Sequence, residues 1–223
     1  ETLREIWMGE VIAANPYLGL FEGARSDANL EQTNETGVHG FWQGDPFHFN
    51  DIEPLPAALA PAFPAFAAGD LLLSARSLNA VLVLDPDTLE VKWHRVGATL
   101  RQHDPDWRAD GTISVYDNRM SRGPSQIVAL DPATMDRRVL VDGGPLDFYS
   151  RIRGKHERTT RGDLVVSSPQ QGRAFEIAPD GGVVMELFNR GPAGTGLNLA
   201  LTEVLWLPPD AFDIKEVQTC SES

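Results

Sequence analysis

One pattern of residues recurs three times along this chain of 223 residues. Each copy opens with a Gly-Asp or Asp-Gly pair and continues as a β-rich run, a loop and a second apolar run. An Asp-Pro or Ala-Pro turn then leads into a third run. The copies span 69–97, 110–144 and 161–189. A repeat of this kind constrains the fold strongly, because each copy must form the same supersecondary unit.

The first copy shows the local chemistry of the repeat. Residues 71–73 and 80–84 are continuously apolar, which predicts two strands that are buried on both faces. Asp85-Pro86-Asp87-Thr88 is typical of a type I turn, because proline fixes φ at the second position and the aspartate accepts hydrogen bonds from the turn. Residues 90–93 then alternate between polar and apolar, as in a half-exposed strand.

The glycines that open the copies, Gly69, Gly111 and Gly162, are about 40–50 residues apart, the length of a four-stranded propeller blade. We therefore predict an all-β fold: a β-propeller of which this chain forms three to four blades. Closure needs about 4–8 blades, so the missing ones would come from the same precursor or from another chain. We expect residues 1–45 to be a loop-rich segment or a partial blade, 46–189 to be the blades, and 190–223 to be a linker and tail with a closing strand at 201–207.

Composition excludes several classes of partner. The chain has 32 acidic and 19 basic residues and a formal charge of −13, which disfavours nucleic acid and anionic lipid. Its most apolar stretch, 54–69, contains several prolines and is too short to span a bilayer. Cys220 is the single cysteine, so an intrachain disulfide is excluded. We expect no helix longer than one turn, with single turns at 57–60 and 205–212.

Several motifs resemble the bacterial arylsulfotransferase family over residues 45–189. They are His48-Phe49-Asn50-Asp51, Arg101-Gln102-His103-Asp104-Pro105-Asp106, Tyr116-Asp117-Asn118 and Phe148-Tyr149-Ser150. The resemblance implies a six-bladed, exported propeller, periplasmic or secreted. It also implies transfer of a sulfuryl group from an aryl sulfate to a phenol through a histidine nucleophile, without a nucleotide donor. The family's fold resembles that of quinone-dependent propeller enzymes, but no repeated tryptophan motif is present, so we expect no cofactor and no metal.

A sulfuryl group in transfer spreads negative charge over three oxygens, so its site needs fixed cations, hydrogen-bond donors and a nucleophile. The resemblance places five residues on the channel side: His48, Asn50, His103, Asn118 and Arg122. Arg76 occupies the corresponding loop of the first copy and is a second candidate clamp for the anion. We take His103, His48 and His156 as candidate catalytic residues, and Asn50, Asn118, Arg122 and Arg76 as candidate substrate ligands.

The sequence departs from the family at the nucleophile. That histidine is expected three residues before the Tyr-Ser pair, where this chain has Leu146, which cannot attack sulfur. His156 could replace it only if its loop folds inward, and the surrounding arginines and lysine indicate a solvated basic loop instead. The other candidates also have structural interpretations: His48 and Asn50 could satisfy loop backbone, His103 could be a turn histidine, Asn118 a turn cap and Arg122 a surface charge.

Two functions therefore remain open. The first is an enzyme resembling arylsulfotransferases, acting on an aryl sulfate and a phenolic acceptor. The second is a non-catalytic propeller that serves as a scaffold or accessory subunit of a larger extracytoplasmic assembly. Leu146 favours the second function. The histidines and asparagines of the motifs favour the first, because a scaffold has no chemical need for them.

Overall fold

The computed structural model describes residues 4–23, 45–208 and 211. In this part the chain is all-β apart from short helices, and it forms three four-stranded antiparallel sheets, each with its strands in chain order. The predicted all-β class is confirmed. The chain divides into two compact units, residues 1–153 and 154–223. Cys220 lies outside the described residues.

The first unit contains two of the sheets. Sheet 1 consists of β1 (Phe49–Pro54), β2 (Leu71–Ala75), β3 (Ala80–Leu84) and β4 (Val91–Val96). Sheet 2 consists of β5 (His103–Trp107), β6 (Ile113–Asp117), β7 (Gln126–Leu130) and β8 (Arg137–Asp142). The same unit holds the helix α1 (Met8–Ala14) and 3-10 turns at Gly19–Gly23, Ala60–Ala62 and Arg76–Leu78.

The second unit contains sheet 3. Its strands are β9 (His156–Arg158), β10 (Leu164–Ser168), β11 (Arg173–Ile177) and β12 (Val183–Phe188), with a 3-10 turn at Pro169–Gln171. An isolated antiparallel bridge joins Arg190 to Asn198 after the last strand. In every sheet, the three runs of the sequence repeat form the second, third and fourth strands. The first strand comes from the segment that precedes the repeat.

Two expectations about the termini were wrong. Residues 8–14 form a helix of two turns, which is held to sheet 1 by Asn15: its side chain donates to the Leu89 carbonyl at 2.8 Å and accepts from the Val91 amide at 2.9 Å. Residues 201–207 form no strand. Their backbone makes single contacts, such as the Trp206 amide with the Glu157 carboxylate at 2.9 Å, in place of a hydrogen-bonded ladder.

The helices of the described residues are short, and none of them has the length and apolar character required to cross a bilayer. The predicted turn at 57–60 is present and runs directly into the 3-10 turn Ala60–Ala62. At the other predicted turn, the described residues 205–208 form no regular structure.

Sheet 1 is buried on both faces, which explains why β2 and β3 are continuously apolar. One face contributes Leu72, Val81 and Val83 to a core shared with sheet 2. This core also contains the tryptophans of β4 and β5, Trp93 and Trp107, so both are packing residues. The other face carries Leu73, Ala75, Ala80, Leu82 and Leu84, which pack with Val11 of α1 and with Phe21 and Phe47.

The turns between the third and fourth strands of sheets 1 and 2 have the predicted geometry. Oδ1 of Asp85 accepts from the amides of Asp87 and Thr88 at 2.9 and 3.2 Å. Oδ1 of Asp131 accepts from the amides of Ala133 and Thr134 at 2.8 and 3.1 Å. Each turn ends in a residue with positive φ, 63° at Leu89 and 65° at Met135. The aspartates therefore stabilise turns whose last residue carries backbone strain.

Replacing Asp131 with alanine should lower the free energy of unfolding by about 1–2 kcal/mol, because two backbone amides lose their acceptor. The measurement is urea unfolding followed by circular dichroism. The matched control is Asp136→Ala in the same turn, where the structure gives the side chain no hydrogen bond, and it should change stability by less than about 0.5 kcal/mol. Equal losses from the two variants would contradict this role for Asp131.

Candidate functional site

The first strands of sheets 1 and 2 both begin with a β-bulge. In β1 the pairing with β2 moves from Phe49–Ala75 to Asp51–Ser74, so Asn50 is the extra residue. In β5 the pairing with β6 moves from His103–Tyr116 to Asp106–Ser114, which places one extra residue after His103. Bulges redirect side chains at strand ends. Both irregularities therefore lie at motifs that were selected from the sequence.

Gln102, just before β5, joins the two sheets through a buried polar network. Its carbonyl accepts from the Asn50 side chain at 2.9 Å, and its own amide donates to the Ala80 carbonyl at 2.9 Å and to Ser74 Oγ at 3.2 Å. Its side-chain oxygen accepts from Thr99 at 3.1 Å. Because Gln102 is fully buried, this pairing avoids the cost of an unsatisfied amide. It fixes the start of β5 against sheet 1.

The side-chain amide of Asn50 forms a hydrogen bond through its NH₂ group but none through its oxygen. Since the Gln102 carbonyl can only accept, Nδ2 of Asn50 must face it, and the orientation of the side chain is settled. Oδ1 of Asn50 is buried and has no hydrogen-bond partner among the described residues. A buried carbonyl oxygen without a donor is costly.

His103 is held at both ring nitrogens. The Asn118 side chain donates to the carbonyls of Ser150 and Arg153 at 2.9 and 2.7 Å, so its Oδ1 is the acceptor that meets His103 Nδ1 at 2.7 Å. His103 Nε2 accepts from the Arg153 amide at 3.1 Å. This arrangement requires a neutral imidazole that carries its proton on Nδ1. His103 and Asn118 together hold the backbone of residues 150–153 through hydrogen bonds.

The charge state of His103 agrees with this geometry. Burial, together with the charges of Arg76 and His48, lowers the pKa of His103 to about 4, against the opposing effect of the Asn118 hydrogen bond. A cationic imidazole would also have no lone pair for the Arg153 amide. His103 is therefore neutral at physiological pH.

The charge of Arg76 acts on this neutral ring, and Arg76 is in turn influenced by two further arginines. The side chain of Arg76, which follows β2, is buried, and this burial, together with the charges of Arg101 and Arg151, lowers its pKa to about 10. Burial also lowers the pKa of Arg101. Arg76 therefore lies in a locally positive position from which solvent is largely excluded.

His48 presents a different arrangement. Its Nδ1 lies 2.8 Å from the Asp45 carboxylate, and its own amide donates to the same carboxylate at 2.9 Å. Among the described residues, no hydrogen bond engages Nε2 of His48. A carboxylate on Nδ1 fixes the tautomer that leaves Nε2 with its lone pair. His48 is also near enough to His103 for its charge to influence that ring.

Backbone strain concentrates in the same segments. Positive φ values occur at His48 (49°), Arg101 (58°), Asp104 (51°), Arg119 (50°) and Arg153 (63°). Non-glycine residues seldom adopt this conformation, and they do so where the surroundings enforce it. Such strain is typical of functional sites, because it allows side chains to converge that a regular strand would separate.

The predicted site residues divide into two groups. His48, Asn50, Arg76, His103 and Asn118 come together in the first unit, at the ends of β1, β2, β5 and β6. Arg122 does not join them: its side chain is exposed, and its amide donates to the Arg119 carbonyl at 2.7 Å. Its role as a substrate ligand remains a prediction.

The structure also places His156 and Leu146, the two residues considered in connection with the family's nucleophile. We expected His156 in a solvated loop, which was wrong: it begins β9 in the second unit, and its side chain is buried. The reason is the pairing of His156 with Val166 of β10, which draws it into sheet 3. Leu146 lies half-buried in the turn that follows β8. Its apolar side chain provides no nucleophile.

The sequence reasoning missed Asp45, Gln102, Arg101 and Arg151 as members of the site. Two of them could have been selected from the sequence, since Arg101 and Gln102 belong to the motif that contains His103. Arg151 follows the Tyr149-Ser150 pair directly. Asp45 carries no motif, and its contact with His48 depends on the left-handed backbone of that histidine.

Comparison with known proteins agrees with the motifs. The model of the arylsulfotransferase (ASST) family matches residues 5–190. The chain belongs to the arylsulfotransferase family. The match extends beyond the region of the motifs toward the N-terminus and includes the segment that forms α1. The family predicted from the motifs is thereby confirmed.

Other comparisons add little to the family assignment. No curated protein matches this arylsulfotransferase-family chain. Among 35 solved chains that match is a protein of unknown function from Bacteroides caccae, with 16% identity and a TM-score of 0.34. The match covers 53% of this chain and 42% of that one. The chain thus spans less than half the length of that relative.

The buried neutral His103 should make stability depend on pH in a defined window. The pKa of His103 is 6.5 in the unfolded chain and about 4 in the folded one. Its contribution to the free energy of unfolding is therefore complete above pH 6.5 and is lost as pH falls through 4. Urea unfolding at several pH values should show a steeper loss in the wild type than in His103→Gln. His94→Gln, in β4, should keep the wild-type slope. Parallel profiles for wild type and His103→Gln would contradict the depressed pKa.

Proposed function

We propose that this chain forms blades of a β-propeller arylsulfotransferase and moves a sulfuryl group from an aryl sulfate to a phenol, with His48 as the nucleophile. The observation that carries the proposal is the buried Arg76, flanked by Arg101 and Arg151, next to a neutral imidazole. Sulfuryl transfer needs fixed cations in a water-poor position, and the buried Arg76 supports the proposal on this point.

The propeller is supported by the way sheets 1 and 2 meet. They share one core, and their first strands lie side by side, as the bond from Trp107 Nε1 to the Glu53 carbonyl at 3.3 Å indicates. Such packing of successive four-stranded sheets is typical of propeller blades, whose first strands converge on an axis. Under this proposal the remaining blades come from the same precursor or from another chain, and the protein acts in the periplasm or outside the cell.

His48 is the best nucleophile among the three candidate histidines. Its Nε2 is not engaged within the described part of the chain, and Asp45 fixes its tautomer. Both nitrogens of His103 already hold hydrogen bonds. His156 belongs to the second unit and pairs within sheet 3. Since Leu146 stands at the family's expected nucleophile position, an active enzyme of this sequence must draw on another histidine.

The proposed reaction has two balanced steps. Nε2 of His48 attacks the sulfur of the aryl sulfate, the S–O bond to the aryl oxygen breaks, and the phenoxide leaves with the electron pair and takes a proton from water. The acceptor phenol then attacks the same sulfur, the N–S bond breaks with its pair returning to Nε2, and the phenolic proton passes to water. Asp45 stabilises the cationic sulfated imidazole between the steps.

The other residues have roles that follow from their contacts. Arg76, Arg101 and Arg151 balance the charge on the three sulfuryl oxygens, which is largest in the transition state. His103 stays neutral and does not compete with His48 for the sulfur.

The experiment measures release of 4-nitrophenol from 4-nitrophenyl sulfate, with phenol as the acceptor and the full-length protein as the enzyme. His48→Asn should lower kcat by at least about 10³-fold, because asparagine tolerates the left-handed backbone but cannot attack sulfur. Arg76→Met should lower kcat/KM by about 10²–10³-fold, as loss of one transition-state charge contact does.

Matched controls are His94→Asn in β4 and Arg138→Met in β8, both outside the cluster, and both should remain within about twofold of the wild type. Full activity in His48→Asn would overturn the assigned nucleophile. A wild-type protein that neither turns over nor binds the aryl sulfate would favour the non-catalytic scaffold, for which Leu146 is the supporting observation.

A further inference from the structure

We propose that His103 and Asn118 are positioning residues: they hold the Arg153 peptide in its left-handed conformation and so keep Arg151 within electrostatic range of Arg76. The inference rests on the proposed function, because it assigns Arg151 to the anion site. It gives the strongest family motif, the segment around His103, a role other than contact with the substrate.

Both the amide and the carbonyl of Arg153 are held by hydrogen bonds. The amide of Arg153 donates to His103 Nε2 at 3.1 Å, and its carbonyl accepts from Asn118 Nδ2 at 2.7 Å. The same Nδ2 also bonds the Ser150 carbonyl at 2.9 Å. One histidine–asparagine pair thus binds the backbone on both sides of Arg151. Ser125 supports this segment further, since its Oγ accepts from the Ser150 amide at 3.0 Å.

These hydrogen bonds are needed because the backbone at Arg153 is strained. Arg153 has φ of 63°, and Gly154, which follows, has φ of 115°. A residue with a Cβ favours negative φ when nothing holds it, so without the two hydrogen bonds the segment would relax to an extended conformation. Arg151, two residues earlier, would then lose its position relative to Arg76.

The charges near His103 keep its imidazole in the neutral form that bonds both Asn118 and the Arg153 amide. The charges of Arg76, after β2, and of His48, before β1, act on the His103 ring, and those of Arg101 and Arg151 act on Arg76. The positive charges among them disfavour a proton on Nε2, so this nitrogen retains the lone pair that binds the Arg153 amide.

A rescue experiment separates positioning from direct contact with the ligand. His103→Ala should raise the Kd for 4-nitrophenyl sulfate by about tenfold, because the binding-competent arrangement of Arg151 becomes a minor population. Adding Arg153→Gly should bring the Kd back to within about threefold of the wild type, since glycine adopts positive φ without support. Arg153→Gly alone should bind like the wild type.

Amide hydrogen exchange of Arg153, measured without ligand, tests the positioning role independently of the proposed function. The exchange should be slow in the wild type and in His94→Ala, and at least about tenfold faster in His103→Ala. If the wild type does not bind the aryl sulfate while this pattern holds, the proposed function fails and the positioning role stands. An unchanged Arg153 exchange rate in His103→Ala, or a double variant that binds no better than His103→Ala, would overturn the positioning role.

Discussion

The shared apolar core of sheets 1 and 2 is the constraint on which the first unit depends. Trp93 and Trp107 pack within it, alongside Leu72, Val83 and Val115, and their removal from water is the main favourable term in bringing the sheets together. Packing the sheets in this way brings the starts of β1 and β5 side by side. Polar groups at those strand ends must then satisfy one another, which explains the network around Gln102.

The same constraint explains the electrostatics of the site. Side chains that leave β1, β2 and β5 at this junction enter a partly desolvated region, where Arg76 and Arg101 have lowered pKa values. A desolvated cation is costly unless an anion or a hydrogen-bonding group stabilises it. His103 remains neutral in the same field and can serve as a fixed hydrogen-bonding group.

Much of the fold could be predicted because the repeat has a clear local chemistry. The apolar runs of β2 and β3 and the turns at Asp85 and Asp131 follow from residue type alone. The first strands were harder, since β5 contains a proline and two aspartates and β9 has only three residues. The helix α1 was missed because its seven residues are too few for a periodic pattern. The apolar run at 201–207 has the composition of a strand but no neighbouring strand in the described structure.

For the site, the motifs selected residues of the first unit that the fold brings close together, but did not predict their contacts. Bulges at Asn50 and after His103, and the left-handed backbone at His48 and Arg153, decide which atoms meet. These features depend on packing between sheets and have no signature in the residues themselves. His156 was misplaced for the same reason, since pairing with Val166 outweighed the basic character of its neighbours.

The central claim is that His48 carries the sulfuryl group between donor and acceptor. The most direct measurement is mass spectrometry of the full-length protein, quenched at alkaline pH during incubation with 4-nitrophenyl sulfate in the absence of phenol. The account predicts one added SO₃ group on the peptide that contains His48, which disappears when phenol is added before the quench. An unmodified His48 peptide alongside a sulfated peptide elsewhere in the chain would contradict it.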